Sequence, residues 1–205
     1  MVEFVASIIN GNMNELTSLS TGDNTDAWSL NPPGTFADGS ASPYDAWSNS
    51  DLDSWLANAT SDTNHQPGSS STSYNTPRSI KFESAGRRAY QPITVEAGTT
   101  YTISSGVRVN STTLTGSILA GTFYILDTAI TDEETGMAAT ATSLENSFIA
   151  SQAVTVSGPG TWVDATITFT TTTETEVILY FVPDGATTAT KEIFLDDISI
   201  AEGSL

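Results

Sequence analysis

Apolar and polar residues alternate along most of the chain beyond residue 78. The pattern is clearest in Trp162–Thr170, where apolar side chains stand at every second position, namely at Val163, Ala165, Ile167 and Phe169. A period of two places such side chains on one face of a β-strand. The alternation therefore predicts strands at Ser79–Glu83, Ala89–Val95, Thr99–Val109, Ser117–Leu126, Phe148–Val156, Trp162–Thr170, Glu176–Val182 and Glu192–Ala201.

Turn sequences separate these strands, and no long segment with helical period interrupts them. Glu96-Ala97-Gly98 and Gly158-Pro159-Gly160 carry the glycine and proline residues that tight turns favour. Many short strands without a long helix are typical of an antiparallel β-sandwich or jelly roll. The length of 205 residues suits one domain, so we predict a single all-β sandwich domain over residues 1–205.

The segment Asn31–Pro77 lacks the alternation. It is rich in Ser, Asn, Asp, Gly and Pro. Long segments without regular structure are uncommon in compact domains and are often functional. Leu52, Trp55 and Leu56 have the spacing of one helical turn around Asp51–Ala57. We predict that residues 31–77 form a loop-rich insertion in the sandwich.

Two adjacent carboxylates, Asp196 and Asp197, stand among apolar residues in the last predicted strand. A carboxylate in an apolar strand costs several kcal/mol unless something neutralises it. Two interpretations stay open: the pair lies at a solvated bulge, or a hard cation such as calcium binds it. The oxygen-rich run around the turn-forming Gly11 would supply further ligands, and the two ends of the chain would meet around one ion.

The charge balance limits the classes of partner. The chain has six lysine and arginine residues and 24 acidic residues, so its formal net charge is −18. Nucleic acids and anionic membrane surfaces require clustered basic residues, so neither is an expected partner, and polyanionic glycans are disfavoured. The chain has no cysteine, so it cannot form disulfides. It has no run of about 18 apolar residues, so we expect no membrane-spanning helix.

Several short motifs follow one another in a familiar order. They are Ile9-Asn10-Gly11-Asn12-Met13-Asn14, Ser79-Ile80-Lys81-Phe82, Gln91–Thr102, Thr161-Trp162 and Phe194-Leu195-Asp196-Asp197-Ile198-Ser199-Ile200. Together they resemble the jelly-roll carbohydrate-binding modules of the family 4, 9, 16 and 22 kind, which have a galactose-binding-like sandwich. The resemblance implies an extracellular or cell-surface bacterial module that binds a neutral polysaccharide or oligosaccharide. It also implies a tether to a catalytic or surface-protein partner domain.

The resemblance further implies a structural calcium that joins the first strand region to the final Asp-Asp strand. By position, Asp197 would supply the side-chain ligand, with backbone carbonyls near Gly11 or Asn12 and near Lys81. Asn14 stands where these modules usually have glutamate, so its amide oxygen would replace a carboxylate. The lost charge predicts weaker calcium binding.

Sugar binding requires flat aromatic rings, which stack on the apolar faces of pyranose rings, together with polar groups for the hydroxyls. The insertion offers Tyr44, Trp47, Trp55 and Tyr74 among amides and carboxylates, and the strands add Arg88, Tyr90 and Tyr124. We predict these seven as carbohydrate-binding residues. Trp47 and Trp55 have a second interpretation as anchors that pin a long loop to a satellite core.

Catalytic patterns are sparse in this sequence. No Glu-x-Asp-x-x-Glu carboxylate pattern occurs, and the only histidine, His65, lies in a Ser- and Asn-rich loop. The preferred hypothesis is therefore a non-enzymatic module for a neutral polysaccharide, with a β-glucan or laminarin-like chain suggested by resemblance. A structural or adhesive β-sandwich that binds protein is the second hypothesis. A jelly-roll polysaccharide lyase or hydrolase is the third.

Overall fold

The computed structural model of the chain describes residues 5–8, 11, 34–35, 41–42, 48–49, 68–70, 72–75, 79–82, 89–127, 148–188 and 190–203. All regular elements in these ranges are strands: β1 (Gly34–Thr35), β2 (Ala41–Ser42), β3 (Ser48–Asn49), β4 (Gly68–Ser70), β5 (Ser79–Phe82), β6 (Ala89–Thr94), β7 (Thr100–Ser111), β8 (Ile118–Leu126), β9 (Phe148–Val156), β10 (Trp162–Thr170), β11 (Glu176–Pro183) and β12 (Lys191–Glu202). Within the same ranges, no helix is long and apolar enough to cross a membrane.

Ten of the strands form two five-stranded sheets, and β1 pairs with β2 separately. Sheet I has the order β10-β7-β12-β5-β4, and sheet II has the order β3-β6-β11-β8-β9. Every pair of neighbours is antiparallel. Among β5 to β12, the first strand lies beside the last and the second beside the seventh, which is the jelly-roll arrangement. The predicted antiparallel β-sandwich is confirmed.

The core lies between the inner faces of the two sheets. Sheet I contributes alternating residues such as Val107 and Leu195, and sheet II contributes residues such as Leu179. Aromatic rings join the layers, because Phe181 of sheet II lies 5.3 Å from Phe82 of sheet I, measured between ring centroids. Rings at such distances and tilts attract each other beyond the area that they bury.

The strand positions agree closely with the alternation in the sequence. β9 and β10 have the predicted bounds, and β7 extends two residues further, to Ser111. The extension follows from the ladder with β12, in which Lys191 pairs with Ser111. The predicted helical turn at Asp51–Ala57 lies outside the described residues.

The insertion contributes edge strands to both sheets, which the sequence did not indicate. β4 pairs with β5 at the edge of sheet I, and β3 pairs with β6 at the edge of sheet II. These strands are only two or three residues long. Short edge strands leave few unpaired backbone groups for pairing with another chain.

A β-bulge interrupts β12 at the two adjacent carboxylates. Asp196 pairs with Gly106 and Ser199 pairs with Ser104, so β12 has one residue more than β7 across this interval. Asp197 has a φ of 51°, in the left-handed region that aspartate tolerates better than most residues. The bulge breaks the inward-outward alternation and lets two adjacent aspartates occur within an apolar strand.

Candidate functional site

Three tyrosines occupy one register row across the central strands of sheet II. Tyr180 of β11 pairs with Tyr90 of β6 on one side and with Tyr124 of β8 on the other. We call these three residues the tyrosine row. Tyr180 is buried but lies outside the main core cluster, to which its neighbours Leu179 and Phe181 belong. Because neighbouring residues of a strand point to opposite faces, Tyr180 belongs to the outer face of sheet II.

The β9 side of the tyrosine row is accessible to solvent. Tyr124 is half-buried, and its ring lies 5.6 Å from the ring of Phe148 at an interplanar angle of 62°. The side chain of Phe148 is 39% exposed. Ser151, which pairs with Tyr124, is also exposed. This edge therefore offers two aromatic rings next to a hydroxyl group.

An open cavity of about 410 Å³ adjoins the row. Leu126 and Ile178 reach it from β8 and β11, two positions along these strands from Tyr124 and Tyr180. The remaining lining residues are Asp127, Thr173, Glu174, Thr175, Glu176 and Val177. The cavity thus combines apolar side chains with carboxylates that can accept hydrogen bonds from hydroxyl groups.

One of the cavity carboxylates is held in place by backbone donors. The N–H of Thr172 donates to Oε2 of Glu174 at 2.5 Å, and the N–H of Thr173 donates to the same oxygen at 3.1 Å. These hydrogen bonds, that from Thr172 above all, lower the pKa of Glu174 below its ordinary value. Glu174 therefore stays an anionic acceptor at neutral pH.

Residues 72–75 lie against the outer face of sheet I. The ring of Tyr74 lies over Gly106, so close that a Cβ at Gly106 would be 2.8 Å from its Cδ1 atom. The Tyr74 hydroxyl donates to Oδ1 of Asp164 at 2.9 Å, and its ring centroid lies 5.5 Å from that of Trp162. The hydrogen bond to Asp164 raises the pKa of Tyr74, because phenolate formation would place two anions together.

The bulge supplies the anchor for this segment. The N–H of Tyr74 donates to Oδ2 of Asp196 at 2.7 Å, and the N–H of Asp197 donates to Oδ1 at the same distance. The Asp196 side chain is fully buried. Backbone donors thus provide part of the compensation that the buried carboxylate of Asp196 requires, and the interpretation of a solvated bulge is wrong for this residue.

Gly11, one of the five predicted calcium ligands, contacts the residue that follows a second one, Asp197. The carbonyl of Gly11 accepts a 2.8 Å hydrogen bond from the N–H of Ile198, the residue after Asp197. Gly11 approaches so closely that an added Cβ would be 1.9 Å from the Ile198 carbonyl oxygen. The beginning of the chain therefore meets the last strand, as the sequence predicted. Asn75 Nδ2 donates to Oδ2 of Asp197 at 2.8 Å.

Of the other three predicted ligands, the structure describes Lys81 alone. Lys81 pairs with Phe194, three positions before Asp197, and its Nζ lies 3.7 Å from Oε1 of Glu192. Asn12 and Asn14 lie outside the described residues. Among the residues that the structure describes, no three His, Asp or Glu side chains are grouped for a metal. The carbonyl of Gly11 and the carboxylate of Asp197 suit calcium, which takes about six to eight oxygen ligands.

The structure describes three of the seven predicted sugar-binding residues. Tyr74 lies against the outer face of sheet I, Tyr124 belongs to β8 of sheet II, and Tyr90 is defined by its register in β6. Tyr44, Trp47, Trp55 and Arg88 fall outside the described part of the chain. The sequence prediction omitted Trp162 and Asp164, which contact Tyr74. Their alternate positions in β10 place both on the outer face, which could have identified them.

Comparisons with known proteins identify the fold. No protein-family model matches the chain, and no curated protein does. A solved structure of a family 4 carbohydrate-binding module matches 96% of this chain and 99% of its own, with 15% identity and a TM-score of 0.50. A family 61 module in complex with β-1,4-galactotriose has 14% identity and a TM-score of 0.46 over 85% of this chain and 98% of its own. A cyclase from Fischerella sp. TAU has 11% identity and a TM-score of 0.47 over 77% and 84% of the two chains.

The resemblance to carbohydrate-binding modules is confirmed at the level of fold. The match to the family 4 module extends over nearly the whole of both chains. One fold supports many functions, so the activity has to be argued from the site.

Proposed function

We propose that this protein is a non-catalytic module that binds a neutral polysaccharide or oligosaccharide at the β9 side of the tyrosine row, around Tyr124. The observation that carries the proposal is the combination of accessible aromatic rings and an adjoining cavity lined by carboxylates. Tyr124 and Phe148 present ring surface to solvent, and Glu174 and Glu176 line the cavity beside them. Sugar rings need both kinds of surface, because they have apolar C–H faces and polar hydroxyl edges.

The charge of the protein favours a neutral glycan. With a formal net charge of −18, the chain repels polyanionic glycans at moderate ionic strength. A neutral sugar hydroxyl can donate to a carboxylate without this penalty. A β-glucan or laminarin-like chain is the proposed ligand within this class, on the resemblance to the modules named above.

Affinity gel electrophoresis against laminarin, cellulose ethers, xylan and mannan tests this function. We expect retardation by at least one of these glycans and loss of that retardation in Tyr124→Ala. Ser151→Ala, which removes only a neighbouring hydroxyl, is the matched control and should keep most of the retardation. If no neutral glycan retards the folded wild-type protein, the proposal is wrong, and an adhesive or structural sandwich becomes the better account.

We also propose a structural calcium at the bulge of β12, held in part by the Gly11 carbonyl and the Asp197 carboxylate. The support is that the Gly11 carbonyl accepts a hydrogen bond from Ile198, the residue after Asp197, and that the carbonyl and the carboxylate are both hard oxygen donors. An ion that binds only the folded state raises the unfolding temperature. We expect a higher Tm in CaCl2 than in EDTA, and no such difference in Asp197→Ala. Glu202→Ala on the same strand is the control.

The same resemblance also supports a proposal about the cellular location and the partner domain of the module. We propose an extracellular or cell-surface location in a bacterium, with a tether to a catalytic or surface-protein domain. In that setting the module would hold its partner domain close to a polysaccharide and raise the effective concentration of substrate.

A further inference from the structure

Tyr74, Trp162, Asp164 and Arg108 form a surface on the outer face of sheet I, which we call the Tyr74 surface. Trp162 pairs with Arg108, and Asp164 pairs with Gly106 beneath the ring of Tyr74. Their neighbours in the strands, such as Ala165 and Val107, belong to the core. Since the two sheets pack through their inner faces, the Tyr74 surface and the tyrosine row lie on opposite sides of the sandwich.

The side chain of Tyr74 is partly exposed to solvent and is also held in place by several contacts. Its side chain is 36% exposed, yet its backbone N–H, its ring and its hydroxyl are each held by sheet I. The preceding chain is held as well, because the hydroxyl of Ser79 donates to the Thr72 carbonyl at 2.5 Å. A ring that is already ordered loses little conformational entropy when a ligand stacks on it.

Trp162 provides a second aromatic ring and an unusual donor. Its Nε1 atom is the one buried side-chain polar atom without a hydrogen-bond partner among the residues that the structure describes. Native proteins satisfy nearly all such donors, so an exception requires a specific explanation. The half-buried indole lies against Tyr74, so both rings belong to one aromatic patch.

Polar groups surround the two rings. Asp164 is exposed and holds the Tyr74 hydroxyl through one oxygen. Arg108 pairs with Trp162, and its Nε atom donates to Oδ1 of Asn110 at 2.9 Å, so the guanidinium group is held on the outer face of β7. A carboxylate and a guanidinium group on the same face as two rings match the hydroxyl edge and the apolar face of a sugar.

We infer that the Tyr74 surface is a second contact site for a neutral glycan. This inference rests on the proposed function and extends it, because one module then contacts two glycan chains, one on each side. A bivalent module binds a polymer network more tightly than either surface binds one oligosaccharide. It also cross-links the network without any second domain.

The test is an NMR titration of the isotope-labelled full chain with laminarihexaose, cellohexaose, xylohexaose and mannohexaose. The two readouts are the indole N–H of Trp162, assigned through Trp162→Phe, and the backbone amides of Tyr124 and Phe148. We expect at least one oligosaccharide to shift both sets of signals, with separate saturation curves. Tyr74→Ala and Asp164→Ala should each weaken the response of Trp162 by about tenfold or more and leave that of Tyr124 unchanged.

Thr166→Ala is the control, because this exposed residue of β10 lies on the same outer face beyond Asp164. It should change neither response. If only Tyr124 and Phe148 respond, the second site is wrong and the proposed function remains. If neither set responds to any of the four sugars, both proposals are wrong. If Tyr74→Ala unfolds the protein, Asp164→Ala at an exposed position decides the outcome alone.

Discussion

The two outer faces of the sandwich carry aromatic residues in different ways. On sheet II, the tyrosine row consists of strand residues that the β-ladders place side by side. On sheet I, a segment of the insertion supplies Tyr74, and hydrogen bonds to residues 90 and 122 positions away hold it there. The first surface is therefore as stable as the sheet, whereas the second depends on a few long-range contacts. Single substitutions should remove the Tyr74 surface and leave the tyrosine row intact.

The largest effect is expected from Asp196→Ala. The substitution removes a buried carboxylate and leaves the N–H groups of Tyr74 and Asp197 without their charged acceptor, at a cost of about 2 to 5 kcal/mol. Urea unfolding at neutral pH measures the change in the free energy of unfolding. Glu96→Ala, at an exposed acidic position, should stay within about 0.5 kcal/mol of wild type. Equal stability of the two variants would contradict the anchoring role of Asp196.

Gly106→Ala should disrupt the Tyr74 surface and leave the tyrosine row unaffected. The new Cβ would lie 2.8 Å from Cδ1 of Tyr74, so the ring has to leave its place over β7. We expect a stability loss of about 1 to 3 kcal/mol and a changed near-ultraviolet circular dichroism spectrum. Glycan retardation through the tyrosine row should persist. Gly185→Ala, where an added Cβ meets no atom within 4 Å, is the control. An unchanged spectrum in Gly106→Ala would refute the placement of Tyr74.

The contact between Tyr74 and Asp164 predicts a smaller effect at high pH. The pKa of Tyr74 is raised, so the hydrogen bond stabilises the fold at neutral pH. This contribution is complete below the unfolded tyrosine pKa of about 10 and is lost as the pH rises through the folded value. Ultraviolet titration of phenolate, with Tyr74→Phe to assign the signal, should show earlier ionisation in Asp164→Asn. Identical titration curves in both backgrounds would exclude the contact.

The smallest effect concerns Glu174 beside the tyrosine row. Its pKa is lowered, so its contribution to stability is present above the unfolded glutamate pKa of about 4.3. The contribution is lost as the pH falls through the lower folded value. Thermal unfolding should therefore favour wild type over Glu174→Gln at neutral pH, and the difference should shrink in acid. A difference that is constant with pH would show that the ionised carboxylate is not responsible.

The period-two pattern was sufficient to predict β5 to β12, the eight longer strands of the two sheets, but not the short edge strands β3 and β4. Apolar residues at alternate positions, such as Val163, Ala165 and Ile167, indicate a strand with one buried face, since a strand buries every second side chain on that face. The same pattern, with the register, makes Tyr124 and Tyr180 neighbours. The pairing partner of each strand does not follow from its own sequence, so the row itself was not predicted.

The Tyr74 surface could not be derived from the sequence because its parts are far apart along the chain. Nothing near Tyr74 indicates that its N–H meets the carboxylate of Asp196. The bulge at Asp197 is equally hidden, since two adjacent aspartates fit either a metal ligand set or a backbone anchor. Only the fold shows that Asp196 accepts backbone hydrogen bonds, while Asp197 accepts one from Asn75 and the next residue, Ile198, donates to Gly11.

The most direct test of the central claim is calorimetric titration of three proteins with the oligosaccharide that the electrophoresis panel selects. The proteins are wild type, Tyr124→Phe and Tyr124→Ala. Stacking on the ring predicts that Tyr124→Phe stays within a few-fold of wild type, whereas Tyr124→Ala loses about tenfold or more in affinity. Equal affinity of all three proteins would show that the glycan is not bound along the tyrosine row.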